Sequence, residues 1–111
     1  MKETISFEDF QKVDIRIGTI IEVQDFEKAK KPAYQIKIDF GPLGIKKTSA
    51  QITALYTKKE LRNKQVLAVI NFKPKQIANF MSECLILGIQ NGKDVTLLQA
   101  KNAVKNGSTV N

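Results

Sequence analysis

Between Tyr34 and Phe40 every second residue is apolar, and no other feature of this chain constrains its fold as strongly. Successive side chains of a β-strand point to opposite faces, so the alternation predicts a strand with one buried and one solvated face. The segment from Val13 to Val23 shows the same period of two at most positions and predicts a long first strand. Gly18 interrupts that pattern, as glycine does where a strand bulges or a barrel bends.

Further segments carry strand signals. They are a weaker polar strand at 45–51, unbroken apolar runs at 66–72 and 84–89, and a short last strand at 95–98. The Asn91-Gly92 pair before the last strand is a strong signal for a tight hairpin turn. Tyr34, Phe40 and Phe72 occupy strand positions that we expect to face the core.

Short helical turns and a loop fill the connections. Ser6 can cap a turn at 6–10, and Thr57 and Glu60 have capping-box spacing. Positions 73–83 are expected to form a loop with one helical turn. The pattern is therefore all-β, with five principal strands, a sixth short one and a helix between the third and fourth. It predicts a single domain over 1–111 with a five-stranded Greek-key barrel of the OB-fold type.

The composition argues against catalysis. The chain has no histidine and a single cysteine, Cys84, and its carboxylates are scattered. Without histidine the usual general base at neutral pH is absent, and so are Ser-His and Cys-His pairs. One cysteine cannot build a zinc site, and there is no glycine-rich phosphate loop. We expect a binding protein rather than an enzyme, with no metal and no cofactor, and Cys84 as a small buried core residue.

The charge balance points to acidic partners. Eighteen Lys and Arg against eleven Asp and Glu give a net charge of +7, which favours polyanions or acidic surfaces. Nearly all the basic residues are lysines, which are poorly suited to bidentate base reading. The chain also has no Trp and few aromatic residues, which argues against a platform for stacking nucleic-acid bases.

The apolar runs are short. None approaches the roughly 20 residues that a membrane-spanning helix requires. The first residues, Met1 to Thr4, lack an apolar stretch of signal-peptide length. We expect a cytoplasmic protein that is not inserted into a membrane.

Lysine clusters next to the predicted strands mark a candidate binding surface. They are Lys28, Lys30 and Lys31, then Lys46 and Lys47, then Lys73 and Lys75. The exposed sheet face and the bounding loops of an OB barrel form its binding surface. A fourth cluster at 58–64 is expected to be a solvated face. Asn71 and Ser82 either add hydrogen-bonding groups to the surface or serve as a turn former and a strand-entry cap.

Two motifs resemble a known domain. The first strand at 10–20, and the basic loop at 71–77 followed by 81–87, resemble the tRNA-binding domain that is appended to some aminoacyl-tRNA synthetases and also occurs as free-standing dimers. Within that superfamily, segments 38–41, 44–53 and 65–72 are most similar to the CsaA-type protein-secretion chaperones. The resemblance runs from about position 7 to the last residue.

The resemblance implies a function. It implies an OB-fold homodimer that binds unfolded or preprotein polypeptide and assists protein export, with the export machinery as a further partner. Structure-dependent tRNA binding is the alternative, and a purely structural subunit would show neither activity. The matching motif positions imply a peptide- or tRNA-binding surface made of Lys46, Ser49, Gln51, Asn71, Lys73, Lys75, Ser82 and Glu83, to which we add Lys28 and Lys31 where the pattern is looser.

The terminal segments are implied to make dimer contacts. Segments 1–12 and 100–111 would do so through Phe7, Phe10, Val104 and Val110, unless these residues simply close the barrel ends. Relatives often have arginine in the basic loop, where this chain has lysines. Lysine keeps the charge but loses the planar fork that clamps an anion in bidentate fashion.

Overall fold

A long, bent first strand organises the fold in the computed structural model, which describes residues 1–111. The helices and strands in chain order are α1 (Phe7–Gln11), β1 (Ile15–Asp25), β2 (Tyr34–Asp39), β3 (Ile45–Ala50), α2 (Lys58–Leu61), β4 (Gln65–Val69), β5 (Lys75–Ile77), β6 (Phe80–Ser82), β7 (Leu85–Ile86), β8 (Gly88–Asn91), β9 (Asp94–Leu97) and β10 (Thr109–Val110). A single 3-10 turn at Gly41–Leu43 links β2 to β3. No helix is long and apolar enough to cross a membrane.

One antiparallel sheet curls into a nearly closed barrel. Its strand order is β3-β2-β1-β4-β7, and β10 adds to the start of β1. The two edges of the sheet, β3 and β7, approach each other just before β7, where the backbone N–H of Glu83 donates to the carbonyl of Lys47 at 2.8 Å. Helix α2 lies between β3 and β4, and Thr57 and Glu60 form the predicted capping box at its start. The prediction of an all-β OB-fold is confirmed.

The irregularity in β1 lies at Ile21 and not at Gly18. The pairing of β1 with β2 shifts register between Ile20 and Glu22. Ile20 is fully buried, whereas Ile21 is 40% exposed. A bulge adds one residue to one strand, so side chains beyond it change faces. The bulge therefore places Val23, and not Glu22, on the core face that Ile20 occupies before it.

Gly18 serves close packing instead. A Cβ atom at this position would lie 2.5 Å from Cγ2 of Ile38 and 2.7 Å from the ring of Phe40, both of which are completely buried. The side chains of β2 thus lie directly against the backbone of β1. Glycine in a strand interior often marks such a close approach.

Gly18→Ala is expected to destabilise the protein by about 1–3 kcal/mol, since overpacking a filled core costs that much. The check is urea denaturation of Gly18→Ala, Ile38→Ala and the double variant. Ile38→Ala removes the clashing methyl group, so the two substitutions together should cost less than the sum of the single costs. Strictly additive costs would show that Gly18 is not in tight contact with Ile38.

Two other regions differ from the predictions. Positions 73–83 form the β5–β6 hairpin, in which Lys75 to Ile77 pair with Phe80 to Ser82 across a turn at Ala78, whose φ is +53°. The helical turn predicted there is wrong. The apolar run at 84–89 is two strands, because β7 pairs with β4 and β8 forms a separate hairpin with β9.

The core lies inside the barrel and is almost entirely apolar. It includes Tyr34 and Phe40, as predicted. Tyr34 donates its hydroxyl hydrogen bond to the carbonyl of Tyr56, so its one polar atom is satisfied. Phe72 lies outside the core and is 56% exposed, because β4 ends at Val69 and the chain has left the barrel by position 72.

Candidate binding groove

Three adjoining cavities form one concave surface on the barrel. Their volumes are about 670, 400 and 490 Å³, and all three are lined by Ser49 and Ile77. We call this surface the Ser49–Ile77 groove. Its walls are the 26–33 loop, the end of β3, the β5–β6 hairpin and the turn of the β8–β9 hairpin.

The floor of the groove is apolar and partly open to solvent. Phe72 and Leu85 line it with 56% and 49% of their surface exposed, and Ile77 and Ile86 are half-buried. Exposed apolar side chains that gather in one depression mark a binding surface more often than scattered ones do. The floor can therefore accept apolar groups of a ligand.

The rim of the groove is strongly basic. Its charged side chains are six lysines and one carboxylate: Lys28, Lys30, Lys31, Lys73, Lys75, Lys93 and Glu83. None of these lysines has a carboxylate within 4 Å, since the four ion pairs of the protein lie elsewhere. The ammonium groups are therefore free to contact a ligand.

Hydrogen bonds fix the base of the groove. Ser82 Oγ lies 3.1 Å from Oγ1 of the buried Thr48, which donates to the carbonyl of Cys84. The Glu83 carboxylate accepts from the backbone N–H of Lys47 at 3.0 Å. These contacts join the end of the β5–β6 hairpin to β3. The position of the hairpin relative to β3 is thus fixed at this end of the groove.

An aromatic contact positions the lysine-rich loop. Phe26 is buried and packs on the tip of the hairpin, with its ring centroid 5.5 Å from that of Phe80. The ammonium group of Lys47 lies 5.2 Å from the centroid of the same Phe80 ring, within cation–π range. The 26–33 loop therefore forms one wall of the groove, next to Lys28 and Lys31.

Most of the residues predicted for the site lie together. Eight of the ten line the groove: Lys28, Lys31, Ser49, Gln51, Lys73, Lys75, Ser82 and Glu83. Lys46 and Asn71 do not line it. The apolar floor was not predicted: Phe72 was assigned to the core, and Ile77 lay in a segment predicted to be a loop.

Asn71 anchors the N-terminal segment. Its carboxamide accepts from the backbone N–H of Asp14 at 3.0 Å and donates to the carbonyl of Lys12 at 2.7 Å. A side chain that satisfies two backbone groups is engaged in structure. These contacts join the end of β4 to the segment before β1, so the structural role of Asn71 is a long-range anchor and not the local turn former that the sequence suggested.

Asn71→Ala should lower the free energy of unfolding by about 1–3 kcal/mol, because two backbone groups lose their partner. Ligand binding to the groove should stay within about twofold of wild type, since Asn71 is not part of its lining. Urea denaturation and binding titrations of one protein preparation check both statements. A large loss of binding without a loss of stability would instead place Asn71 in the site.

Cys84 is a buried thiol behind the groove. Burial, together with the nearby Glu83 carboxylate, raises the pKa of the Cys84 thiol from its ordinary 9.0 to about 12. The thiolate is the reactive form, so this side chain is chemically inert near neutral pH.

The raised pKa predicts a loss of stability in alkali. Below pH 9.0 the thiol is neutral in both the folded and unfolded states, and its contribution is fully present. Above pH 9.0 the Cys84 thiol ionises in the unfolded chain but stays protonated in the folded protein. The free energy of unfolding therefore falls as the pH rises from 9.0 towards about 12. Denaturation of wild type and Cys84→Ala on both sides of pH 9 checks this. Equal pH slopes for the two proteins would contradict it.

The terminal segments present a second apolar surface. Phe7 and Phe10 of α1 are 71% and 38% exposed, with ring centroids 6.4 Å apart. Val104 is also exposed, while Val110 is half-buried where β10 pairs with Ile15 of β1. α1 thus buries no residue within its own chain.

Comparison with known proteins agrees with this geometry. Residues 15–109 match the family model described as "Putative tRNA binding domain". The chain is 39% identical over 106 residues to methionine–tRNA ligase of Pyrococcus furiosus and 38% identical over 108 residues to that of Pyrococcus horikoshii, covering 96% and 97% of its own length. It spans only 14% and 15% of these ligases. The chain belongs to the tRNA-binding-domain family, which is a family of binding domains and not of catalytic ones.

Two similar solved structures cover essentially the whole chain. The chaperone CsaA of Bacillus anthracis is 44% identical with a TM-score of 0.93, over 98% of this chain and 100% of that one. The CsaA chaperone protein of Picrophilus torridus is 51% identical with a TM-score of 0.92, over 97% and 100%. Within the family, this chain is of the CsaA type.

Proposed function

We propose that this chain is a homodimeric chaperone that holds unfolded or preprotein segments in the Ser49–Ile77 groove and assists protein export from the cytoplasm. The observation that carries the proposal is the apolar floor beneath a rim of six unpaired lysines. The similarity to two CsaA chaperones supports it. The export machinery is a proposed further partner.

The two parts of the groove would divide the work of recognition. The floor, with Phe72 and Leu85, would cover apolar side chains that an unfolded segment exposes. Burying one such side chain contributes about 1.5–3 kcal/mol. The lysine rim would attract acidic segments, repel basic ones and leave neutral segments to bind through the apolar floor. No base-stacking platform is needed for a polypeptide ligand.

A dimer would strengthen this binding. Two equivalent grooves raise the effective concentration for a long chain that reaches both. We assign the exposed rings of Phe7 and Phe10 to the interface, together with Val104 and Val110 of the C-terminal segment. Analytical ultracentrifugation tests this: wild type should sediment as a dimer and Phe7→Ser/Phe10→Ser as a monomer. A monomeric wild type would refute the interface.

Titration of a fluorescently labelled unfolded preprotein into the purified protein tests the proposal. We expect saturable binding at micromolar concentrations that does not require ATP. The same preprotein in its folded form is the control and should not bind. Absence of binding to the unfolded form would overturn the chaperone assignment.

Structure-dependent tRNA binding is the second candidate function. It is favoured by the unpaired lysines and by the family description and the methionine–tRNA ligase relatives. Phosphate contacts release counterions, so this function predicts an affinity for tRNA that falls steeply with salt. If tRNA does not bind at low salt, this candidate is refuted. If neither tRNA nor polypeptide binds, a structural subunit is the remaining class.

A further inference from the structure

The chain contains two Asn-Gly sequences, and they lie in contrasting environments. They are Asn91-Gly92 and Asn106-Gly107. An asparagine followed by glycine can modify itself, because the next residue has no side chain to hinder attack by its backbone nitrogen. The environment of each pair decides whether that attack can occur.

The reaction needs no enzyme. The backbone nitrogen of the glycine attacks Cγ of the asparagine and forms a cyclic imide, and the side-chain nitrogen leaves as ammonia with the proton of the glycine amide. Water then adds to the imide and breaks one of its two C–N bonds, which leaves aspartate or isoaspartate. The net change replaces an amide by a carboxylate, an increase of about 1 Da and one negative charge.

Hydrogen bonds restrain Asn106-Gly107 and hinder this reaction there. The Asn106 side-chain oxygen accepts hydrogen bonds from Thr19 at 2.8 Å and from Gln65 at 3.0 Å. The attacking nitrogen, that of Gly107, donates to the carbonyl of Ile17 at 2.8 Å. Reaction there requires several contacts with β1 and β4 to break at once.

Asn91-Gly92 has none of these restraints. The Asn91 side chain is exposed, and neither its carboxamide nor the backbone nitrogen of Gly92 makes a hydrogen bond within the protein. The pair lies at the turn of the β8–β9 hairpin, which is a separate two-stranded sheet. Leu97 anchors the base of this hairpin in the core, but every residue of β8 is exposed and the turn lies at the opposite end, so the turn opens locally at little cost.

We infer that Asn91 is a site of spontaneous deamidation, and that Asn106 is protected by its hydrogen bonds. The modification places a carboxylate between Gln90 and Gly92, both of which line the groove. Isoaspartate would also add a backbone atom to a tight turn and disturb the pairing of Asn91 with Asp94.

Peptide mapping in heavy-oxygen water tests the inference. The full chain is incubated at mildly alkaline pH and digested with trypsin, which places the two pairs in peptides 76–93 and 106–111. We expect heavy oxygen at Asn91 at least about tenfold faster than at Asn106, a ratio set by the cost of local opening. In denaturant both sites should react at similar rates, and Asn91→Gln should remove the first signal. Equal rates in the native protein would overturn the inference.

A second readout concerns the groove and rests on the proposed function. Asn91→Asp mimics one product and adds a charge beside Lys93, so it should weaken binding of an acidic polypeptide by about two- to threefold at low salt. Unchanged affinity would refute an effect of deamidation on binding in the groove. Whether Asn91 deamidates would still be decided by peptide mapping. Failure of the deamidation inference is therefore distinguishable from failure of the proposed binding function.

Discussion

Ile20→Ala is expected to lower the free energy of unfolding by about 2–5 kcal/mol, whereas Ile21→Ala should cost less than about 1 kcal/mol. The two isoleucines are adjacent and chemically identical. Ile20 is completely buried in the barrel, and Ile21 at the bulge is 40% exposed. The difference therefore compares the core face of β1 at Ile20 with its outer face at Ile21.

Urea denaturation of the two variants is the check. A protein of this size has a modest stability, so Ile20→Ala could fail to fold. Ile20→Val, with an expected cost of about 0.5–1.5 kcal/mol, then replaces it, with Ile21→Val as its matched control. Equal costs at the two positions would contradict the assignment of Ile20 to the core and of Ile21 to the outer face of β1.

The second large effect is expected in the groove. Lys73→Glu/Lys75→Glu should weaken binding of an acidic unfolded polypeptide by about tenfold or more at low salt, because two attractive charges become repulsive. Each substitution changes the charge by −2, so the protein goes from +7 to +3. Lys59→Glu/Lys101→Glu makes the same change outside the groove and is the matched control.

Fluorescence anisotropy of a labelled polypeptide at low and high salt distinguishes the effect of charges in the groove from the effect of the protein's net charge. The groove variant should lose affinity and much of its salt dependence, and the control variant should stay close to wild type. Similar losses in both variants would mean that only the net charge matters. The groove would then have no special role.

Local patterns predicted those elements that depend on neighbouring residues. The alternation at 34–40 became β2, Ser6 caps α1, and Thr57 with Glu60 caps α2. Each of these signals is complete within a few residues. The barrel itself was predicted from the number of strand segments and from the helix between the third and fourth of them.

The bulge and the β5–β6 hairpin could not be predicted in this way. Both Ile20 and Ile21 are apolar, and only pairing with β2 decides which of them enters the core. The hairpin has a proline before it and no apolar alternation. Contacts distant in sequence hold it, between Phe80 and Phe26 and between Ser82 and Thr48.

The groove, too, has parts that local sequence patterns predict and parts that depend on the three-dimensional fold. Most of its polar and charged residues were predicted because they match family motifs or lie next to strands, whereas Lys93 was not predicted. Its apolar floor was missed because Phe72 follows an apolar run and looks like a core residue. Its exposure depends on where β4 ends, which the run does not show.

The most direct test of the central claim is to map the ligand on the protein by NMR. Unfolded polypeptide is added to the isotope-labelled protein, and changes in backbone amide shifts are followed residue by residue. We predict the largest changes at Ser49, Lys75 and Ile77, within the groove, and small changes at Lys59 and Arg62 on the other basic surface. Changes confined to that second surface, with the groove unaffected, would contradict the account.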